Sequence, residues 1–109
     1  MQLLDNVVAF PATYDFPALS AYRRRLLTRD RDFAGRASGA DAIALERTLD
    51  ALERVELTIM AMPADGEAHM REKLQIIGRA IQSRADADHI GHLFELARPD
   101  MARHPSVAA

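Results

Sequence analysis

The residues of this chain that could carry chemistry are four histidines and a run of arginines. His89 and His92 are three residues apart, and this spacing places both imidazoles on one side of a helix, where they could ligate a metal ion. Two ligands do not make a site, and Glu95 lies about 60° around the helix from His92. We therefore expect a solvated or capping histidine pair, with no metal and no cofactor; a metal-binding protein stays a distant alternative.

Motifs for catalysis are missing from the rest of the sequence. The chain has no cysteine, which excludes disulfides, thiolate nucleophiles and Cys-ligated zinc. It has no Gly-rich phosphate loop, no nucleophile elbow and no His-Glu-x-x-His motif. The Glu-x-x-His pair of a di-iron bundle is also absent. We therefore expect a non-enzymatic protein.

The segment Arg23–Arg36 is the one charge asymmetry of the chain. It holds six arginines and two aspartates, a local net charge of +4 in a chain of net charge −2. Its candidate basic patch for phosphate contact consists of Arg23, Arg24, Arg25, Arg29 and Arg31. Three consecutive arginines fan around a helix, and no aromatic residues interleave with them for base stacking. Pairing with acidic helix faces or a protein partner is the favoured interpretation, and nucleic-acid contact is the alternative.

Four helices are predicted to position these residues. They run from about Pro17 to Asp32, Ala40 to Met62, Gly66 to Arg84 and Asp88 to Arg98. Pro63 ends the second helix and Asp65 is a suitable N-cap for the third, so that a short turn joins the two. Asp86 or Asp88 is expected to cap the fourth helix, and Pro99 to end it.

Apolar residues recur at helical spacing in each of these segments. The predicted buried positions are Leu19, Tyr22, Leu26 and Phe33 in the first helix, Leu45, Leu49, Leu52, Ile59 and Met62 in the second, Met70, Leu74, Ile77 and Ile81 in the third, and Ile90, Leu93, Phe94 and Ala97 in the fourth. Such stripes predict an all-α fold. We expect an antiparallel helical hairpin with flanking helices in a small helical bundle.

The 109 residues are interpreted as one helical domain. Residues 1–16 are read as an apolar arm and residues 99–109 as a flexible tail. No apolar run reaches the roughly 18 residues that a membrane span needs, so no membrane association is expected. The long second helix and the apolar arm favour a homodimer, and the composition favours the cytoplasm.

Met60, Met62 and Met70 flank the turn between the second and third helices. Methionine adapts to irregular surfaces and is frequent at protein-binding sites. These three residues are the candidate partner surface, although core filling explains such a cluster more often.

Two resemblances bear on function. The run from Ile59 to Ala64, followed by Met70-Arg71-Glu72-Lys73-Leu74, resembles small uncharacterised helical-hairpin proteins of alphaproteobacteria, in which a Pro-Ala turn precedes an apolar-x-x-Lys segment. This resemblance implies a bacterial source and a hairpin, and no catalytic residue. Leu74-Gln75-Ile76-Ile77 resembles the dimerisation helix of bacterial sensor histidine kinases, where the phosphoacceptor position corresponds to Ala68. His69, one residue away, is otherwise expected to be an exposed surface group.

The function that these observations favour is that of a protein–protein interaction module or small regulator. A nucleic-acid-associated regulator that uses Arg23–Arg36 is the alternative. A phosphorelay protein that uses His69 is a more distant one.

Overall fold

The described part of the chain is helical apart from short turns. A computed structural model of the protein describes residues 15–33 and 40–104. Over these ranges it has four α-helices and no strand: α1 (Phe16–Phe33), α2 (Ala40–Ala61), α3 (Glu67–Gln82) and α4 (Ala87–Arg103). The all-α fold class is confirmed, and residues 62–66 form the predicted connection between α2 and α3. Of the predicted apolar arm, only Asp15 and Phe16 lie within the described residues.

Contacts group the chain into two compact units, with the boundary inside α2. The first unit ends at Glu56 and the second begins at Leu57. The first unit therefore contains α1 and most of α2, and the second contains the last turn of α2 with α3 and α4. The interpretation of the chain as one domain stays a prediction.

In the first unit, α1 begins at an aspartate cap for which no sequence pattern was considered above. The Asp15 carboxylate accepts a hydrogen bond of 2.8 Å from the backbone N–H of Ala18, which satisfies one of the free donors of the first turn. Leu19, Tyr22 and Leu26 are buried, as their spacing predicts. The side chain of Phe33, the fourth predicted position, lies outside the described residues.

The buried face of α2 is rotated from the predicted leucine stripe. Its buried residues are Ala44, Thr48, Ala51, Leu52, Val55, Ile59 and Met60. Leu49 is 42% exposed, so its assignment to the core was wrong. The buried face includes small residues, and small side chains allow close approach of a packed neighbour. The Thr48 hydroxyl is satisfied within the helix, because it donates to the carbonyl of Ala44 at 2.8 Å.

The start of α3 differs from the prediction. Gly66 occupies the N-cap position in an extended conformation, and no side chain caps the helix there. Asp65 is therefore not the cap. Acidic Glu67 in the first turn still suits the positive end of the helix dipole.

The end of α3 is a Schellman turn. The Ala85 N–H donates to the carbonyl of Ala80 at 3.0 Å, and the Arg84 N–H donates to the carbonyl of Ile81 at 3.1 Å. Arg84 adopts the left-handed conformation (φ 59°) that this turn requires and that glycine usually supplies.

α4 is longer than the sequence predicts. Asp86 caps it as expected, since its carboxylate accepts from the His89 N–H at 3.1 Å. Pro99, however, lies inside the helix, which continues to Arg103. The prediction that Pro99 ends the helix was wrong, and the first part of the predicted flexible tail is helical; residues 105–109 of that tail lie outside the described residues. A proline in a helix interior costs about 3 kcal/mol, and the next residue, Asp100, forms tertiary bonds to Ala64 and Lys73 that favour the helical last turn.

The last predicted stripes are only partly confirmed. Ile77 of α3 and Leu93 of α4 are buried, whereas Ile81 is 51% exposed and Phe94 is 43% exposed. α3 and α4 pack on each other. The exposed residues lie at the edges of the stripes, where water reaches the helix surface.

Among the described residues, no helix combines the length and apolar character that crossing a membrane requires.

Candidate functional site

The most unusual side chain in the second unit is a fully buried lysine. Lys73 on α3 is 0% exposed, whereas lysines are almost never fully buried unless they are paired. Its ammonium donates to the carbonyl of Met60 at 3.0 Å, to the carbonyl of Met62, and to Oδ2 of Asp100 at 2.5 Å. An ammonium has three donors, so all of its hydrogen-bonding capacity is used.

The Lys73 ammonium acts as a cap for the C-terminal end of α2. The last carbonyls of a helix have no partner within it and carry the negative end of the helix dipole. A cation that binds two of these carbonyls therefore satisfies them and stabilises the dipole.

Asp100 receives bonds from three parts of the second unit. Besides the Lys73 ammonium, it accepts from the backbone N–H of Ala64 at 2.9 Å and from the Arg103 guanidinium. Burial raises the pKa of Asp100, but the hydrogen bonds from Ala64 and Lys73 and the charges of Lys73 and Arg103 outweigh it and hold the pKa below its usual value. Asp100 is therefore ionised at neutral pH and ties α4 to the α2–α3 turn.

His69 lies one helical turn before Lys73 and is 2% exposed. The expectation of an exposed surface histidine was wrong. Its Nε2 lies 3.4 Å from the carbonyl of Ile59. Burial lowers the pKa of His69, and the positive charge of Lys73 lowers it further, against the opposing effects of the Ile59 carbonyl, Asp65 and Asp100. His69 is therefore neutral at pH 7. We refer to Lys73, Asp100 and His69 as the junction cluster.

The junction cluster contains residues that sequence reasoning missed, and a signal for them was present. Lys73 follows Met70 by three residues and precedes Ile77 by four, so it lies inside the apolar stripe of α3. Asp100 continues the spacing of Leu93 and Ala97 across Pro99. Charged residues at buried helical positions indicate a partner, and these two residues are partners of each other.

The candidate partner surface is mostly core. Met60 and Met70 are fully buried, and Met62 is half-buried. The structure therefore does not present Met60, Met62 and Met70 together as a surface, because both ends of the predicted cluster pack inside the protein.

The candidate basic patch lies in the first unit and is divided by burial. Arg23 is 4% exposed, and its Nε donates to Glu56 at 3.0 Å. Arg23 is the buried member of an ion pair with half-buried Glu56, so its assignment to an exposed patch was wrong. Arg24 is exposed and donates to the Ser20 hydroxyl at 2.8 Å. Exposed Arg25 lies over the Tyr22 ring, 5.7 Å from its centroid.

Two further arginines of the basic segment lie within the described residues, and Arg36 lies outside them. Arg29 is half-buried and Arg31 is exposed.

Burial raises the pKa of Tyr22, and the charges of Arg54 and Arg25 oppose this rise. On α2, Arg47, Asp50, Ala51 and Arg54 line an open surface depression.

The histidine pair on α4 is not gathered into a larger cluster. His89 is half-buried and His92 is exposed. Within residues 15–33 and 40–104, no three His, Asp or Glu side chains are placed so that they could hold a metal ion.

Comparisons of the chain with protein-family models, with curated proteins and with solved structures found no match.

Proposed function

We propose that this protein is a non-enzymatic helical interaction module, a small bacterial cytoplasmic regulator that acts as a homodimer. The observation that supports this proposal is a partly exposed apolar line on α4. Ile90, Phe94 and Met101 follow one another at i, i+4 and i+11, so they lie on one side of the helix. Phe94 is 43% exposed, and the other two are half-buried.

Small residues next to this line would allow a second helix to come close. Ala87, Gly91 and Ala102 are exposed on the outward side of α4. A Cβ atom added at Gly91 would meet nothing within 4 Å, so this part of the face is open. Interaxial distance falls when the side chains at a helix contact are small.

The occupant that fits this face is a second copy of the chain. Symmetric dimers use one surface on both subunits, which must be complementary to itself. In an antiparallel α4–α4 contact with the two-fold axis beside residues 96 and 97, Gly91 faces Ala102 of the second copy. Glu95 and Arg98, which pair with each other within α4, then face Arg98 and Glu95 of the second copy, so opposite charges meet on both sides of the axis.

Size-exclusion chromatography with light scattering tests the dimer. The wild type at about 50 µM should have twice the 12.1 kDa mass of one chain. Phe94→Lys should convert it to a monomer, because a cation replaces an apolar contact. Gly91→Gln should do the same by filling the close approach, while its better helix propensity keeps the helix intact.

Gln75→Lys is the matched control, because it adds the same charge at an exposed position of α3. This variant should remain a dimer, and far-UV circular dichroism should show that all variants are folded. A wild type that is monomeric at this concentration, or a dimer that persists in both α4 variants, contradicts the proposed assembly.

A nucleic-acid-associated regulator is the second candidate, and the exposure of Arg24, Arg25 and Arg31 favours it. Binding by these side chains would be steeply salt-dependent. Arg24→Gln and Arg25→Gln should then each weaken retention on a mixed-sequence DNA or RNA column at low salt. Absence of retention at about 50 mM salt rules this candidate out.

A further inference from the structure

We propose that the junction cluster is an acid-sensitive latch: protonation of His69 opens the α2–α3–α4 junction of the second unit. The proposal does not depend on the dimer or on any partner. It rests on the position of a buried imidazole, whose Nε2 lies against a helix carbonyl and which has a buried ammonium one turn further along the same helix.

The neutral imidazole fits this position. A carbonyl only accepts, so the contact of Nε2 with the Ile59 carbonyl requires the proton to be on Nε2. A second proton must therefore go to Nδ1, which is buried. Desolvation of the resulting imidazolium opposes its formation.

Taken together, the charges that face His69 also oppose its protonation. Lys73 lies one turn further along α3, Asp65 is in the turn, and Asp100 comes from α4. Asp100 is already bound by Lys73 and Arg103, so it offers limited compensation for a third cation. Exposed Asp65 is screened by water. Charging His69 thus places a buried cation beside another cation.

The other histidine at the junction is His104, whose Nε2 lies 3.4 Å from the carbonyl of Ala64. It is half-buried rather than buried. His104 is therefore the alternative explanation for an acid response at the junction, and the experiment must distinguish its effect from that of His69.

The direction and the pH range follow from linkage. The pKa of His69 in the folded protein is below its ordinary value of 6.5, so the unfolded chain binds the proton more readily. The stability that neutral His69 contributes is therefore fully present above pH 6.5 and is lost as the pH drops below that value. The pKa of Asp100 is below 3.8 in the folded state, so the loss of its contribution begins only in stronger acid.

Opening of the latch would have a local structural result. Lys73 holds the carbonyls of Met60 and Met62, and Asp100 holds the N–H of Ala64. Release of these bonds frees the last turn of α2 and the last turn of α4. It would also uncover Met60 and Met70, which are buried in the closed state.

Urea unfolding and hydrogen exchange at pH 7.5 and 5.5 test the latch. The wild type should have a lower urea midpoint at pH 5.5, with an unfolding equilibrium constant that rises by at most tenfold per pH unit for one proton. Peptides that cover residues 59–73 and 98–104 should lose protection in acid. His69→Gln retains a donor for the Ile59 carbonyl and has no second proton to take up, so its two midpoints should coincide.

Two control variants and a direct titration make the result decisive. His104→Gln and His92→Gln should keep the wild-type pH response. Carbon-13 NMR of the imidazole Cε1 in the wild type should show His69 titrating below its ordinary pKa of 6.5, and this measurement needs no variant to fold. Equal midpoints in the wild type at both pH values, a pH response that disappears in His104→Gln instead, or an ordinary titration of His69 would each overturn the proposal.

Discussion

At the scale of single residues, the structure separates side chains that look alike in the sequence. Arg23 and Arg24 are adjacent, yet Arg23 is buried against Glu56 and Arg24 is exposed. Arg71 and Lys73 are both cations of α3, but Arg71 pairs with Glu67 in solvent and Lys73 pairs with Asp100 in the interior. The difference matters because a charge that loses its partner is costly only where water does not replace it.

Replacement of Lys73 by methionine is expected to destabilise the second unit by about 3–5 kcal/mol, because it leaves Asp100 and two carbonyls without their shared donor. Replacing Asp100 as well, in Lys73→Met/Asp100→Leu, should recover part of the loss, since the uncompensated carboxylate is then gone. Urea unfolding at pH 7.5 measures both. Arg71→Met is the control on the same helix and should change stability by less than about 0.5 kcal/mol.

Arg23→Gln is expected to cost about 2–4 kcal/mol, because Glu56 loses a buried ionic partner. Arg24→Gln should cost less than about 1 kcal/mol, since Arg24 is exposed and its bond to Ser20 is one turn of the same helix away. Thermal unfolding of the two variants gives the comparison. Equal effects would indicate that Arg23 is not buried in solution.

At the scale of helices, the ends are decided by local chemistry where a cap forms and by tertiary contact where it does not. Asp86 caps α4 with its own side chain, as the sequence predicts. At α3, Gly66 stands at the cap without a side-chain bond. The end of α4 lies beyond Pro99, because the bonds of Asp100 to Ala64 and Lys73 hold the last turn in place.

Asp86→Ala is expected to lower stability by about 1 kcal/mol, because the N–H of His89 loses its acceptor. Asp65→Ala removes the same side-chain carboxylate at the start of α3, and it should lower stability by less than half as much. Urea midpoints measured in parallel give the answer. A larger loss for Asp65→Ala than for Asp86→Ala would restore the sequence-based assignment of Asp65 as a cap.

At the scale of the whole molecule, the question that the sequence raises is whether the chain unfolds as one domain. Contacts group it into two units, with the boundary between Glu56 and Leu57. This boundary falls inside the continuous helix α2. A helix shared by two units favours joint unfolding, because breaking it at the boundary costs backbone hydrogen bonds in both.

One domain predicts coincident unfolding of probes in the two units. The chain has two tyrosines, so a Tyr14→Phe variant leaves Tyr22 as the sole tyrosine signal of the first unit. Its near-ultraviolet signal and the NMR signal of His69 in the second unit should be lost at the same urea concentration. Separate midpoints would show that the two units unfold independently.

Within residues 15–33 and 40–104, the sequence by itself determined the number and type of the helices and most of their limits, the end of α4 excepted. Apolar spacing, Pro63 and Asp86 act through the local chain, and local rules are sufficient for such features. It also determined part of the core, such as Leu19, Tyr22 and Leu26. It did not determine the rotation of α2, because the predicted leucine stripe and the observed buried face overlap at Leu52 and Ile59, and apolar spacing alone does not choose between them.

Only the tertiary structure decided the junction cluster. Lys73 and Asp100 are 27 residues apart. Rules that use only neighbours along the chain do not predict that a lysine of α3 pairs with the aspartate that follows the proline in α4. Likewise, the sequence of α3 does not decide whether His69 is exposed or buried. It is buried because it packs against α2 near Ile59. The physical reason is that burial and pairing of charges depend on neighbours brought together by folding, whereas helix formation depends mainly on neighbours along the chain.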